Sequence, residues 1–473
     1  MASTFGTLNT AYSGLAAARA AIDVTGQNIA NVGTEGYTRQ RVEQASVPGT
    51  QTPALFSKGA QIGAGVTVTG IARLNDSLVD ARVRGTASTS GYWDTASSAV
   101  SSVETSLNEP GASGLSSTMN DFWADWQNMA NSAGSTTASG QASVLIAQGQ
   151  LVASRISTGY TAAKNAWSDQ RTATANAVTT INSAAKQIAS LNKAILQTTT
   201  AGGNANEMMD QRDVALTSLA QLTGATSRQN ADGTMDVYVG GSTLVAETTA
   251  RSLAIAGTSD MTAAGSAPVH LTWTDTGSPA TVDGGSVAAQ LATLAGPSGG
   301  SGGIYAETAQ VYNDLATKLA TSVNGALASG TTPSGNQGSP FFALGAGPAA
   351  TSLTVVPTSA AGIAINSAAG SADGAVADAV SQLGGGAGSP DTTWATFVSN
   401  IGVQSKNATT QSTIAASAAS AATTAQTSQS GVDLDEETSN LVTFQHAYQA
   451  AARVMTTIDS MLDTLINHTG LVG

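Results

Sequence analysis

The sequence predicts a mainly α protein with a β insertion: paired N- and C-terminal coiled-coil helices, an elongated helical bundle as a middle layer, and a small antiparallel β-rich outer domain. Three observations predict it. Apolar residues recur every seven positions at both ends of the chain, the periodicity of a coiled-coil seam. Hydrophobic residues make up 41% of the chain but lean on Ala, while charged residues are only 10% and aromatics 4%, a composition suited to thin helical layers with modest cores. At Gly224 the texture changes from helical spacing to alternation, with Asn230-Ala231-Asp232-Gly233 as a hairpin turn followed by Thr234-Met235-Asp236-Val237-Tyr238-Val239.

At the N-terminus Leu8, Leu15, Ile22 and Ile29 are spaced by seven, with Tyr12 in the interleaved position, so 1–33 reads as a heptad helix. Its seam is poor, because Arg19 and Gly26 occupy two of those interleaved positions. The matching segment is 432–473. Leu441, Tyr448, Met455 and Leu462 hold one seam position; Phe444, Ala451, Ile458 and Leu465 hold the other. Asp433 followed by Glu436 reads as a capping box, and carboxylates in a first turn suit the helix dipole. Gly470 reads as the stop. An apolar stripe of this length must cover something, since a lone helix gains too little from propensity. The two ends therefore pair, and everything between them is an insertion.

Between the ends, 34–73 reads as an extended linker with a short hairpin, broken by Pro48, Pro53, Gly59, Gly63 and Gly65 and alternating from Gln61 to Ile71. Helical spacing marks 74–224, 304–330 and 391–431 as the bundle. Leu115, Met119, Phe122, Trp126 and Met129 form its most aromatic stripe, read as core of a layer in preference to a binding surface. The Ala-, Ser-, Thr- and Gln-rich tract running to Gln429 reads as a thin helix packed by small side chains. The β-rich outer domain spans 225–303 and ends in a flexible Gly/Ser linker, Pro297 to Gly303. A loop and strand segment, 331–390, packs on the outer or middle layer, with a second flexible break from Gly384 to Pro390.

Composition narrows the function. The net charge is −13 and no Lys/Arg cluster interrupts it, which argues against nucleic acid and against an anionic membrane surface. With no cysteine, disulfides and thiolate metal sites are excluded. No apolar run approaches the length of a membrane span, and the start of the chain lacks the charged and apolar regions of a cleavable signal peptide. His270, His446 and His468 are scattered, H-E-x-x-H does not occur, and no carboxylate cluster accompanies them. Catalytic, metal and cofactor sites are accordingly expected to be none, and the protein is expected not to be an enzyme. The acidic run Asp433–Glu437 is explained by helix capping before cation binding.

Two stretches carry a resemblance. Asn28-Ile29-Ala30-Asn31-Val32-Gly33-Thr34-Glu35-Gly36-Tyr37-Thr38-Arg39, and Ser430-Gly431-Val432-Asp433-Leu434-Asp435-Glu436-Glu437 with the heptads after it, resemble the terminal signatures of the bacterial flagellar rod, hook and hook-associated axial protein family. Within it, the extended Tyr37-Thr38-Arg39-Gln40 and the central Met209-Asp210-Gln211-Arg212-Asp213 point to the hook-associated members. The motif residues carried over are Asn28, Asn31, Thr34, Gly36, Tyr37 and Arg39.

The resemblance implies a structural subunit of the flagellum that joins hook to filament by self-assembly through its terminal helices, located outside the cell after export without a cleaved signal. The partners it implies are the chain's own copies laterally, the flagellar hook protein, a second hook-associated junction protein, and an export chaperone. The chaperone would cover the C-terminal seam, an aggregation hazard if left bare. Hook and distal rod proteins share both signatures, and a non-flagellar secreted coiled-coil adhesin would share the heptads. The helical middle argues against the first pair, since hook proteins resemble β structures between their ends.

Overall fold

The computed structural model describes residues 4–48 and 63–468. Gly470, expected as the helix stop, and Pro53, Gly59 and Gln61, expected in the linker, lie outside the described residues. Eleven α-helices follow in chain order among the described residues: α1 (Thr4–Ala30), α2 (Ser77–Leu107), α3 (Leu115–Asn131), α4 (Ala138–Thr200), α5 (Asn206–Thr223), α6 (Gly285–Thr293), α7 (Ile304–Leu327), α8 (Ala349–Ser352), α9 (Ala375–Ser381), α10 (Pro390–Ser430) and α11 (Leu434–Asp463). The strands are β1 (Gln40–Ser46), β2 (Val66–Arg73), β3 (Thr226–Gln229), β4 (Met235–Val239), β5 (Ser242–Ala246), β6 (Thr249–Ala250), β7 (Leu253–Ala256), β8 (His270–Trp273), β9 (Pro279–Ala280), β10 (Phe342–Leu344) and β11 (Leu353–Val355). None of the described helices is long and apolar enough to cross a membrane.

The architecture is mainly α with a β insertion. Helix α4 runs 63 residues and carries both hydrophobic cores. Its first half packs with α3, α7, α9 and the start of α10 around Trp126, Trp167, Phe122, Phe341 and Trp394. The stripe expected as core is core: Met119, Phe122, Trp126 and Met129 are fully buried. Its second half packs with α5 and the β insertion, where Ile181, Ile188 and Leu219 meet Val237, Val239, Leu244 and Leu271. The insertion is two antiparallel sheets, ordered β3-β4-β5-β6 and β7-β8-β9, and it shares this core with the helices. The Asn230–Gly233 turn closes β3 onto β4 as expected, with Asn230 N donating to Thr234 O at 2.9 Å.

Helices α2 and α10 form a long pair. On α10 the buried residues Ile401, Ala408, Ala415 and Ala422 are spaced by seven, so small side chains make the seam and the two helices can approach closely. This is how a tract with almost no large residue stays helical. The 297–303 stretch, expected to be a flexible linker, is pinned instead. The Glu307 carboxylate accepts from the backbone N–H of Ser298 and, at 2.9 Å, of Gly302. A charge-assisted bond to backbone N–H outweighs the intrinsic freedom of glycine. The second expected break is likewise held, with Gly384 against the Trp123 ring and Ser389 capping α10 through Thr392 N at 3.1 Å.

Candidate functional site

At the base of the bundle α1 packs along α11. On α11 the less exposed residues follow the expected seam: Ile458 is buried, and Leu441, Phe444, Ala451, Met455 and Leu462 are half-buried. Tyr448 and Leu465 are more exposed, at 37% and 64%.

On α1 the expected seam is corrected. The buried residues are Ala11, Ala17, Ala18, Ala21, Val24, Thr25 and Asn28. Leu8, Leu15, Ile22 and Ile29 are only half-buried, and Tyr12 is 60% exposed. The reason is closeness of approach. The α11 side chains are large, so the facing stripe of α1 is small, and its own larger side chains flank the contact.

The turn after α1 is where the family motif acts. Asn31 N closes on Gln27 O, and its Oδ1 accepts from Thr34 Oγ1 at 3.2 Å, which stops the helix. Thr34 O then accepts from Tyr37 N at 3.2 Å. Gly36 reverses the chain with φ +76°, a conformation that side chains resist, and a Cβ there would lie 2.2 Å from Val214 Cγ2 of α5. Gly36→Ala is therefore expected to lower stability by about 1–3 kcal/mol from strain and overlap. Chemical denaturation of the two proteins measures it, and adding Val214→Ala should recover the overlap part only.

Buried Asn28 gathers the segment around itself. Its Nδ2 donates to Gln40 O at 2.9 Å and to Glu437 Oε2 at 3.1 Å; its Oδ1 accepts from Tyr37 OH at 2.9 Å and Gln40 N at 3.0 Å. Arg39 completes the clasp. Its Nε donates to Glu437 Oε1 at 2.6 Å, and its Nη1 and Nη2 reach both oxygens of Glu436 at 2.9 and 2.7 Å. Arg39 N also donates to Ser430 O at 2.8 Å, at the end of α10. Asp433 caps α11 as expected, accepting from Asp435 N at 2.9 Å and Glu436 N at 3.2 Å. Glu436 does not close the capping box, because the bidentate guanidinium draws its carboxylate away.

A second ion cluster ties the hairpin β1–β2 to α5. Arg73 Nη2 lies 2.7 Å from Asp210 Oδ1 and 2.7 Å from Asp213 Oδ2, and Thr38 N donates to Asp210 Oδ2 at 3.2 Å. Asn206 Nδ2 donates to Gln40 Oε1 at 3.0 Å and Ile71 O at 2.9 Å. The central motif is thus split by face. Asp210 and Asp213 look to the hairpin, while Arg212 turns inward and donates to Asn192 Oδ1 at 3.0 Å and Gly233 O at 2.8 Å. Sequence reading missed Arg73, Asn192, Asn206 and the parts played by Gln40 and Glu437, because side-chain partners brought together by the fold leave no periodic signal. Of the histidines, His270 Nδ1 sits 2.9 Å from Pro268 O and His446 is exposed on α11. Among the described residues no group of His, Asp and Glu could hold a metal ion.

The clasp is pH-sensitive with a defined sign. Hydrogen bonding to Arg39 holds the Glu436 carboxyl below its ordinary value. That contribution is present above the unfolded carboxylate range, about pH 4.3, and is lost as pH falls through the lower folded value. Burial first, then Asp210, Glu207 and Glu437, push the Tyr37 phenol up to about 12. Its contribution is present below about pH 10 and is lost as pH rises toward the folded value. The stability difference between the wild type and Glu436→Gln, measured by urea unfolding, is expected to be full at pH 7 and to shrink progressively as pH falls below about 4.3.

The fold and the site define a class: two terminal signatures joined in one clasp, with a helical bundle and a β insertion between them. Residues 8–38 match the family described as flagella basal body rod protein, and residues 426–468 the flagellar basal body rod FlgEFG protein C-terminal, which makes this an axial protein of the bacterial flagellum. Residues 100–342 match the flagellar hook-associated protein FlgK helical domain. The chain belongs to the flagellar hook-associated protein FlgK family, and it is a structural protein of the flagellum. It is 28% identical to flagellar hook-associated protein 1 of Bacillus subtilis over 100% of both chains. It is 26% identical to the protein of that name in Escherichia coli, covering 97% of this chain and 99% of the other. The Salmonella typhimurium protein is 31% identical over 52% of this chain and 44% of its own. The flagellar hook junction protein FlgK from Burkholderia pseudomallei aligns with TM-score 0.46 and 21% identity, over 56% of this chain and 46% of that one.

Proposed function

We propose that this chain forms the joint between the flagellar hook and the filament, outside the cell, and has no enzymatic activity. The observation that carries the reading is the α1–α11 pair, clasped to the bundle at one end and carrying exposed large apolar side chains among polar ones on its outer side. Tyr12, Val442, Val454 and Met461 are 60%, 51%, 49% and 58% exposed, and they lie on helices whose inner faces already hold each other. Copies of the chain cover these residues in a head-to-tail assembly, in which one surface docks a different one. The flanking Leu8, Leu15, Ile22 and Ile29 join that lateral contact. The flagellar hook protein lies below, and a second hook-associated junction protein above.

Before assembly an export chaperone shields the α11 seam, Leu441, Phe444, Tyr448, Ala451, Met455, Ile458, Leu462 and Leu465. Cells lacking the protein are expected to carry hooks without filaments and to lose flagellin to the medium, as seen by electron microscopy and by assay of the culture fluid. Deleting Leu441–Leu465 is expected to abolish chaperone binding and assembly together. Filaments on the deletion strain would refute the joint; chaperone capture by the truncated chain would refute the shielding role alone.

A further inference from the structure

Behind the clasp, β2, α2 and α5 enclose a cavity of about 210 Å³ lined by Arg73, Arg84, Arg212, Asp80, Asp213 and Asn206, among others. Three guanidinium groups meet on one small wall, with Asp80 and Asp213 in the lining and Asp210 on Arg73, in a chain with only 18 Lys and Arg in all. Two of the three are deeply buried: the Arg73 side chain is 8% exposed and Arg212 is 2% exposed. Each is held from one side only. Arg73 spends Nη2 on Asp210, Asp213 and Thr38 Oγ1, and Arg212 spends Nη1 on Asn192 and Gly233.

Among the described residues, buried Arg73 Nε and Arg212 Nε have no hydrogen-bond partner. A buried N–H donor without an acceptor is costly, and two on guanidiniums that line one cavity call for an acceptor there. Arg84 also lines the cavity, with Nη1 3.9 Å from Asp213 Oδ1 and a side chain 13% exposed, so most of its fork is available. Asp80 is turned to α10, accepting from Gln426 Nε2 at 2.7 Å.

We propose that this cavity is a binding site for a small tetrahedral oxyanion, inorganic phosphate or sulfate, held between Arg73, Arg84 and Arg212. Guanidinium forks match the oxygens of such an anion, and its several acceptors satisfy donors approaching from different elements at once. The bound ion ties the end of β2, which carries the hairpin, to α2 and α5. It therefore fastens the terminal helices to the bundle.

The test is calorimetric titration of the full chain with sodium phosphate and with sodium sulfate, in chloride buffer of matched ionic strength. Thermal unfolding is followed in the same solutions. Saturable binding at one site per chain and a rise in Tm that follows its occupancy are expected. Arg84→Gln should weaken binding tenfold or more, and Arg84→Lys, which keeps the charge and loses the fork, should weaken it measurably. Arg228→Gln, the same charge change at a residue whose side chain is 71% exposed, should leave it unchanged. No binding heat from either anion, or equal binding by the wild type and both Arg84 variants, would overturn the proposal.

Discussion

Glu437→Ala is expected to release α1 and α11 from the base of the bundle while α2 to α10 stay folded. The Glu437 side chain is 2% exposed and receives Arg39 Nε at 2.6 Å and Asn28 Nδ2 at 3.1 Å. Removing one partner of a buried pair leaves the other charge uncompensated, a loss of about 3–5 kcal/mol. Here the loss is focused, because those two bonds join α11 to the end of α1 and to the segment after it. The bundle does not share it: its two cores lie along α4 and include none of Asn28, Arg39 and Glu437.

Limited proteolysis should clip both ends of Glu437→Ala at a protease level that leaves the wild type whole, and hydrogen exchange should rise over α1 and α11 alone. Glu437→Gln retains an acceptor for Asn28 but no charge for Arg39, so it should fall between. The double variant Arg39→Ala/Glu437→Ala should lose less than the sum of the two single changes, since both break the same contact. Equal sums would show that the pair is not coupled.

Trp126→Ala is expected to destabilise the bundle itself. Trp126 is fully buried, its ring centroid 5.2 Å from Phe341 and 6.2 Å from Phe122. Emptying such a site loses about 3–5 kcal/mol in transfer and cavity terms. Urea unfolding followed by far-ultraviolet circular dichroism should show a lower midpoint with a single transition. Among the described residues Trp126 Nε1 has no acceptor, so Trp126→Phe breaks no hydrogen bond and should lose much less. The contrast with Glu437→Ala is diagnostic. One change loosens the ends and spares the core; the other weakens the core.

Heptads and alternation were legible because they are local: a period of seven at 441–465, small residues before it, and a hairpin turn at Asn230–Gly233 can be read from neighbouring residues alone. So were the Asp433 cap and the aromatic stripe of α3. The face of α1 that meets α11 was not legible. Heptad arithmetic selects the largest side chains, Leu8 to Ile29, whereas close approach to large α11 residues selects the alanines beside them.

By itself, then, the sequence determined the long helices, their periods, the two ends that belong together and the family signatures, since all of these are properties of residues a few positions apart; it showed none of the short helices α6, α8 and α9. Only the tertiary structure decided which partners the charges take. Arg39 and Asn28 meet Glu437, and Arg73 meets Asp210. It also decided that the glycine-rich 297–303 stretch is pinned by Glu307. A charged side chain has no period to betray its partner. Its energy depends on distance and burial, and those exist only once segments hundreds of residues apart have been brought into contact.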